Sequence, residues 1–165
     1  MSNYNKNKGK SYERTLAKKL TSIFQLNFER IPNSGAFVGG KNNFRANKLT
    51  SSQLLLCSGD IIVPNELSHV DFECKFYKEF AFSSLFDNCE QLNNWLEQAK
   101  NTTKPLWFLC IKINHKGEFI VFDKKHTQLY SNQENFMVYK DAYIFVKADN
   151  FIENNKEKIL SNQTI

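Results

Sequence analysis

With 165 residues, 41% of them apolar and 24% charged, the chain reads as one globular domain (1–165), not as a fibrous repeat or a disordered tail. No apolar run approaches the roughly 20 residues that a membrane span needs. The net charge of +5 is unevenly placed: residues 1–48 hold ten Lys and Arg against Glu13 and Glu29, and the remainder is net acidic, so the expected partner is a polyanion, nucleic acid before membrane.

Residues 1–8 are rich in Asn and Lys, have little to bury, and are expected to be disordered. They lack the apolar stretch of a secretory leader, so a cytoplasmic location is expected. The spacing of Leu16, Ala17, Leu20, Ile23 and Phe24 predicts a helix from about Ser11, its N-cap, to Phe24. Glu13 falls in the middle of that apolar stripe. Phe28 to Ile31 is a candidate short strand ended by Pro32. Residues 36–58, rich in Gly, Asn and basic side chains, are expected to be a flexible loop, with a short apolar run at Leu54–Cys57. Asp60–Val63 and Val70–Phe76 are expected strands joined by a turn at Pro64-Asn65-Glu66. A second helix is expected from about Ser84 to Lys100, with Leu85, Cys89, Leu92, Leu96 and Ala99 as its apolar stripe. Leu106–Ile113 and Glu118–Phe122 read as a hairpin, Phe136–Tyr139 and Ala142–Val146 as further strands, and Asn150–Leu160 as a C-terminal helix. Cys57, Cys74, Cys89 and Cys110 have no zinc spacing and are expected to be reduced thiols, mostly buried. His69, His115 and His126 show no ligand spacing either and are expected at the surface or in loops.

The chemistry concentrates in His69-Val70-Asp71-Phe72-Glu73-Cys74-Lys75-Phe76. Strand side chains alternate faces, so Val70, Phe72, Cys74 and Phe76 can enter a core while Asp71, Glu73 and Lys75 share the other face. Asp71 is expected to lie behind the site or exposed. With Asp60 ending the neighbouring apolar run, the pattern is Asp-x12-Glu-x-Lys. Carboxylate oxygens suit a hard divalent cation, and a Lys beside them suits a phosphodiester. A carboxylate on an apolar helix stripe, as at Glu13, is costly to bury unless it is paired or coordinated.

Four fragments carry a resemblance over about residues 8–123: Lys8-Gly9-Lys10-Ser11-Tyr12-Glu13-Arg14, Arg30-Ile31-Pro32-Asn33-Ser34-Gly35, Gly59-Asp60, and Glu73-Cys74-Lys75. In this order, on these elements, they resemble the PD-(D/E)XK nucleases, and within them the archaeal-type Holliday junction resolvases that phages also carry. The stretch between Ser34 and Asp60 is longer here than in compact members of that family. The resemblance implies an α/β fold with a restriction-endonuclease-like core, a mixed central sheet flanked by helices. It implies catalysis by Glu13, Asp60, Glu73 and Lys75. Mg²⁺, with Mn²⁺ substituting, would be held by Glu13, Asp60, Glu73 and the Cys74 carbonyl. Lys8, Lys10, Arg14, Arg30, Ser34, Lys41 and Arg45 would grip DNA. A Gln on the following helix, Gln98 or Gln91, is a further candidate. The implied reaction is paired, symmetric nicking of four-way DNA junctions by a homodimer in recombination and repair, leaving 5′-phosphates. The strands Leu106–Ile113 and Glu118–Phe122 and the helix bearing Trp95 are candidate dimer surfaces. The alternatives are a restriction-like or repair nuclease of the same superfamily, acting on linear or branched DNA, and a non-catalytic DNA-binding module.

Overall fold

The computed structural model describes residues 3–32 and 59–161. Ser34, Lys41, Arg45, the expected loop at 36–58 and the run Leu54–Cys57 lie outside the described residues. The first helix, α1, spans Asn3–Phe24. It starts eight residues before the expected N-cap, and residues 3–8 are helical where disorder was expected. Nothing before Ser11 forbids a helix, and Lys8 lies 5.6 Å from the Phe76 ring, which ties this turn to the body. Tyr12, Leu16, Ala17, Leu20 and Phe24 are buried along one face. Gln25, at φ 57°, ends the helix in the left-handed conformation, its N–H bonded to the Thr21 carbonyl at 2.9 Å.

Strand β1 (Glu29–Arg30) pairs antiparallel with β2 (Ile61–Ile62). A 3₁₀ turn at Asn65–Leu67 then leads into β3 (Val70–Tyr77). After a second 3₁₀ turn at Phe82–Phe86 come α2 (Glu90–Lys100), β4 (Leu106–Ile113) and β5 (Gly117–Asp123). The short helix α3 (Thr127–Tyr130) precedes β6 (Phe136–Tyr139) and β7 (Tyr143–Lys147). The chain closes with α4 (Phe151–Asn154) and α5 (Lys156–Leu160). Two expected helices are thus divided. The backbone is extended at Cys89, so α2 starts at Glu90, not Ser84. Asn155 interrupts the C-terminal helix, its side-chain amide donating to the Phe151 carbonyl at 3.0 Å.

The main sheet has the order β3-β4-β5-β7-β6. β3 and β4 are parallel, in register Phe72↔Phe108 and Cys74↔Cys110, and every other pair is antiparallel. A parallel pair needs a crossover, and α2 supplies it. This is a mixed α/β sheet with helices on both faces. The even-numbered residues of β3 and β4, Val70, Phe72, Cys74, Leu106, Phe108 and Cys110, pack with α1, α4 and α5. On the other face Trp107, Leu109, Ile111 and Ile113 pack with Leu92, Trp95, Leu96 and Ala99 of α2. Burial on both faces explains why β4 is apolar throughout. The Phe72 and Phe108 rings stack at 5.5 Å and join the first face across the strands.

One expectation fails here. β4 and β5 are central strands, and Trp95 is buried against them, so these strands, expected as a dimer surface, are core within one chain, while the outer face of α2 stays exposed at Glu90, Asn94, Glu97 and Gln98. His126, expected at the surface or in a loop, lies in the loop between β5 and α3, where it is buried. Cys74, Cys89 and Cys110 are free and buried as expected. No helix among the described residues is long and apolar enough to cross a membrane.

Candidate active site at the β3 edge

β3 is an edge strand of the main sheet, so its outward backbone groups need partners from elsewhere. The β1–β2 ribbon supplies them. The Ile31 N–H bonds to the Asp60 carbonyl at 2.9 Å, and the Asp60 N–H bonds to the Phe72 carbonyl at 2.8 Å. The Asp60 carboxylate accepts the Cys74 N–H at 2.8 Å. Asp60 is thereby fixed, nearly buried, beside the middle of β3. N–H and C=O of one strand residue project to the same edge, so the Cys74 carbonyl faces the Asp60 side as well.

Glu13 approaches the same edge from α1, and Glu73 and Lys75 stand on the opposite face of β3. The Asp60 charge reaches both carboxylates. Burial, then Asp60, raises Glu13 above its ordinary range, against the pull of Arg30 and Lys10. Burial, then Asp60, raises Glu73 to about 7, against the pull of Lys75. Burial pulls Lys75 down, but the Glu73 carboxylate, aided by Asp60, outweighs it and raises the ammonium. The Lys75 Nζ donates to Glu73 Oε1 at 2.5 Å. Arg30 donates through Nε to Glu13 Oε2, with both side chains largely buried.

The four expected catalytic residues are therefore brought to one edge, and their carboxylates feel one another. They do not converge as a ready-made ligand cluster. Among the described residues, no three Asp, Glu, His or Cys side chains lie close enough together to hold an ion. Each carboxylate has its own partner: Arg30 for Glu13, Lys75 for Glu73, the Cys74 N–H for Asp60. The chemistry of the donor set still fits. The groups are all oxygen donors, and burial, then the Asp60 charge, has raised two of them, a condition that a hard divalent cation relieves.

The remaining expected residues separate. Lys10 faces Glu13 closely enough to lower its pKa. Lys8 sits over Phe76, and Arg14 is exposed on α1. Arg30, expected on phosphate, is held by Glu13. Gln98 is exposed and Gln91 half-buried, and among the described residues neither hydrogen-bonds to Glu13, Asp60, Glu73 or Lys75. Asp71 is not exposed: it is 3% accessible and lies behind Asp60. Lys104, which the sequence pattern did not single out, reaches within 3.8 Å of Asp71 Oδ1. A lysine two residues before an apolar strand gives no signal of such a role.

No curated protein matches the chain. Among solved structures, Archaeoglobus fulgidus Hjc, a Holliday junction resolvase from an archaeal hyperthermophile, is similar over 90% of this chain and 98% of its own. That likeness is distant, at 14% identity and a TM-score of 0.40. The family model described as "Phage putative PDDEXK endonuclease" matches residues 4–162, which include Glu13, Asp60, Glu73 and Lys75. The chain belongs to this phage PDDEXK endonuclease family.

Proposed function

We propose that this chain is a divalent-metal-dependent DNA endonuclease whose preferred substrate is a four-way junction, nicked symmetrically by a homodimer in the cytoplasm of an infected cell. The observation that carries the reading is the shared electrostatics of Glu13, Asp60 and Glu73 at one sheet edge, with Lys75 on Glu73. Glu13, Asp60, Glu73 and the Cys74 carbonyl would hold Mg²⁺ or Mn²⁺. Bound there, such an ion supplies a Lewis acid for the phosphate and lowers the pKa of a water. The chain's own residues do the rest. Lys75 donates to the charge that develops on the phosphate oxygens. Asp60, pinned by the Cys74 N–H, keeps the acidic group in place. Lys10 and Arg14 hold the flanking backbone, and Arg30 holds Glu13. Water adds to phosphorus and the bond to the 3′ oxygen breaks, leaving a 3′-hydroxyl and a 5′-phosphate.

The test is cleavage in Mg²⁺ of an immobile four-way junction, the matching linear duplex and a single strand, with Asp60→Asn alongside. Paired nicks on the junction alone, lost in the variant, are expected. Equal cleavage of all three would move the substrate to DNA in general. Wild-type rates from Asp60→Asn would remove Asp60 from the site.

A further inference from the structure

We infer that Lys104 and Asp71 form a buried ion pair that props the Gly59–Asp60 turn, making both positioning residues for the Asp60 carboxylate. This rests on the reading of Asp60 as a site carboxylate. Two consecutive outward-facing N–H groups of β3 are capped by carboxylates. Cys74 donates to Asp60 at 2.8 Å, and Phe72 donates to Asp71 Oδ1 at 3.1 Å. Between them runs the Gly59 backbone, at φ +68°, pressed onto Asp71. A Cβ at position 59 would stand 2.2 Å from Asp71 Oδ1 and 2.9 Å from the Phe72 carbonyl. The Asp71 carboxylate is therefore the floor on which the turn into Asp60 rests.

Lys104 holds that floor. Its Nζ lies 3.8 Å from Asp71 Oδ1 and donates to the Val70 carbonyl at 3.0 Å. The two side chains are only 8% and 4% exposed. A buried charge pair of this kind gives weak net stability, because desolvation offsets the attraction, but losing one partner strands the other. Its effect is to fix a geometry. Val70 and Asp71 open β3, Lys104 precedes β4, and the pair locks that end of the sheet to the turn that aims Asp60. Partners placed behind metal-binding carboxylates orient them in this way.

The experiment compares wild type with Lys104→Met, Lys104→Arg and the double variant Lys104→Met/Asp71→Asn. Amide exchange is read at Cys74, whose N–H reports the Asp60 bond, and at Val121 in central strand β5 as the global reference. Mn²⁺ affinity and junction cleavage are measured in parallel. Lys104→Met is expected to exchange at Cys74 roughly tenfold faster with Val121 unchanged, and to weaken Mn²⁺ binding by a similar factor. Lys104→Arg should restore both. The double variant leaves no stranded charge, so it should fold and still exchange fast at Cys74. Wild-type protection at Cys74 in both Met-containing variants, or loss that merely tracks Val121, would overturn the proposal. A wild-type protein that cuts no DNA would sink the nuclease reading alone, because the Cys74 exchange is read without catalysis.

Discussion

Glu73 makes the protein's stability depend on pH in a direction opposite to that of a paired surface carboxylate. Its pKa rises from the ordinary 4.5 to about 7, first through burial and then through the Asp60 charge. The folded state therefore keeps a proton that the unfolded state gives up, and stability falls as pH rises through that window. At about 1.4 kcal/mol per pH unit, the full cost of ionising Glu73 in place is about 3 kcal/mol. Between about pH 5.5 and about pH 8 roughly 2 kcal/mol of it should appear. The side chain is only 17% exposed, so solvent screening removes little. Glu13, raised in the same direction, adds to the slope, and His126, lowered by burial, opposes it. The assay is urea unfolding across this range for wild type and Glu73→Gln, which subtracts the other groups. The variant should lose about 2 kcal/mol of pH dependence relative to wild type. Parallel stability curves for the two proteins would refute the placement of Glu73 in a buried, acid-crowded site.

Three further outcomes are expected. Gly59→Ala puts a methyl into Asp71 and forces a left-handed backbone on a side chain, so it should cost about 1–3 kcal/mol and slow any cleavage; a variant as stable as wild type would disprove the close approach. Phe108→Ala, at a 0% exposed position stacked on Phe72, should lower stability by about 3–5 kcal/mol, read from the urea midpoint. Lys75→Met removes the charge and hydrogen bond that hold Glu73 down, so its pKa should climb further; residual cleavage should shift to higher pH, and an unmoved pH–rate midpoint would count against the pairing.

Much of the site was legible because strands and helices have short, rigid periods. Alternation on Val70–Tyr77 was enough to separate Phe72 and Cys74 from Glu73 and Lys75, and the structure keeps that separation. The conflict at Glu13, a carboxylate on an apolar stripe, marked a residue that needed a partner, and Arg30 is there. Helix limits were less readable. Residues 3–8 and Asn155 carry weak local preferences, and packing or a single side-chain hydrogen bond decides them.

The sequence by itself determined the alternation of β3, with its acidic and basic face, since this follows from local periodicity and residue type; the α/β class and the four candidate catalytic residues came as what the resemblance implies, and strand order alone made β3 an edge. Only the tertiary structure decided what each charge faces. Strand order put β4 and β5 at the centre, where they cannot serve as a dimer surface. Folding the β1–β2 ribbon onto β3 set Asp60 on the Cys74 N–H, and the approach of Lys104 to Asp71 came from residues 33 apart in the chain. Electrostatic partners depend on distance and burial, and both are fixed by long-range packing that no local pattern encodes.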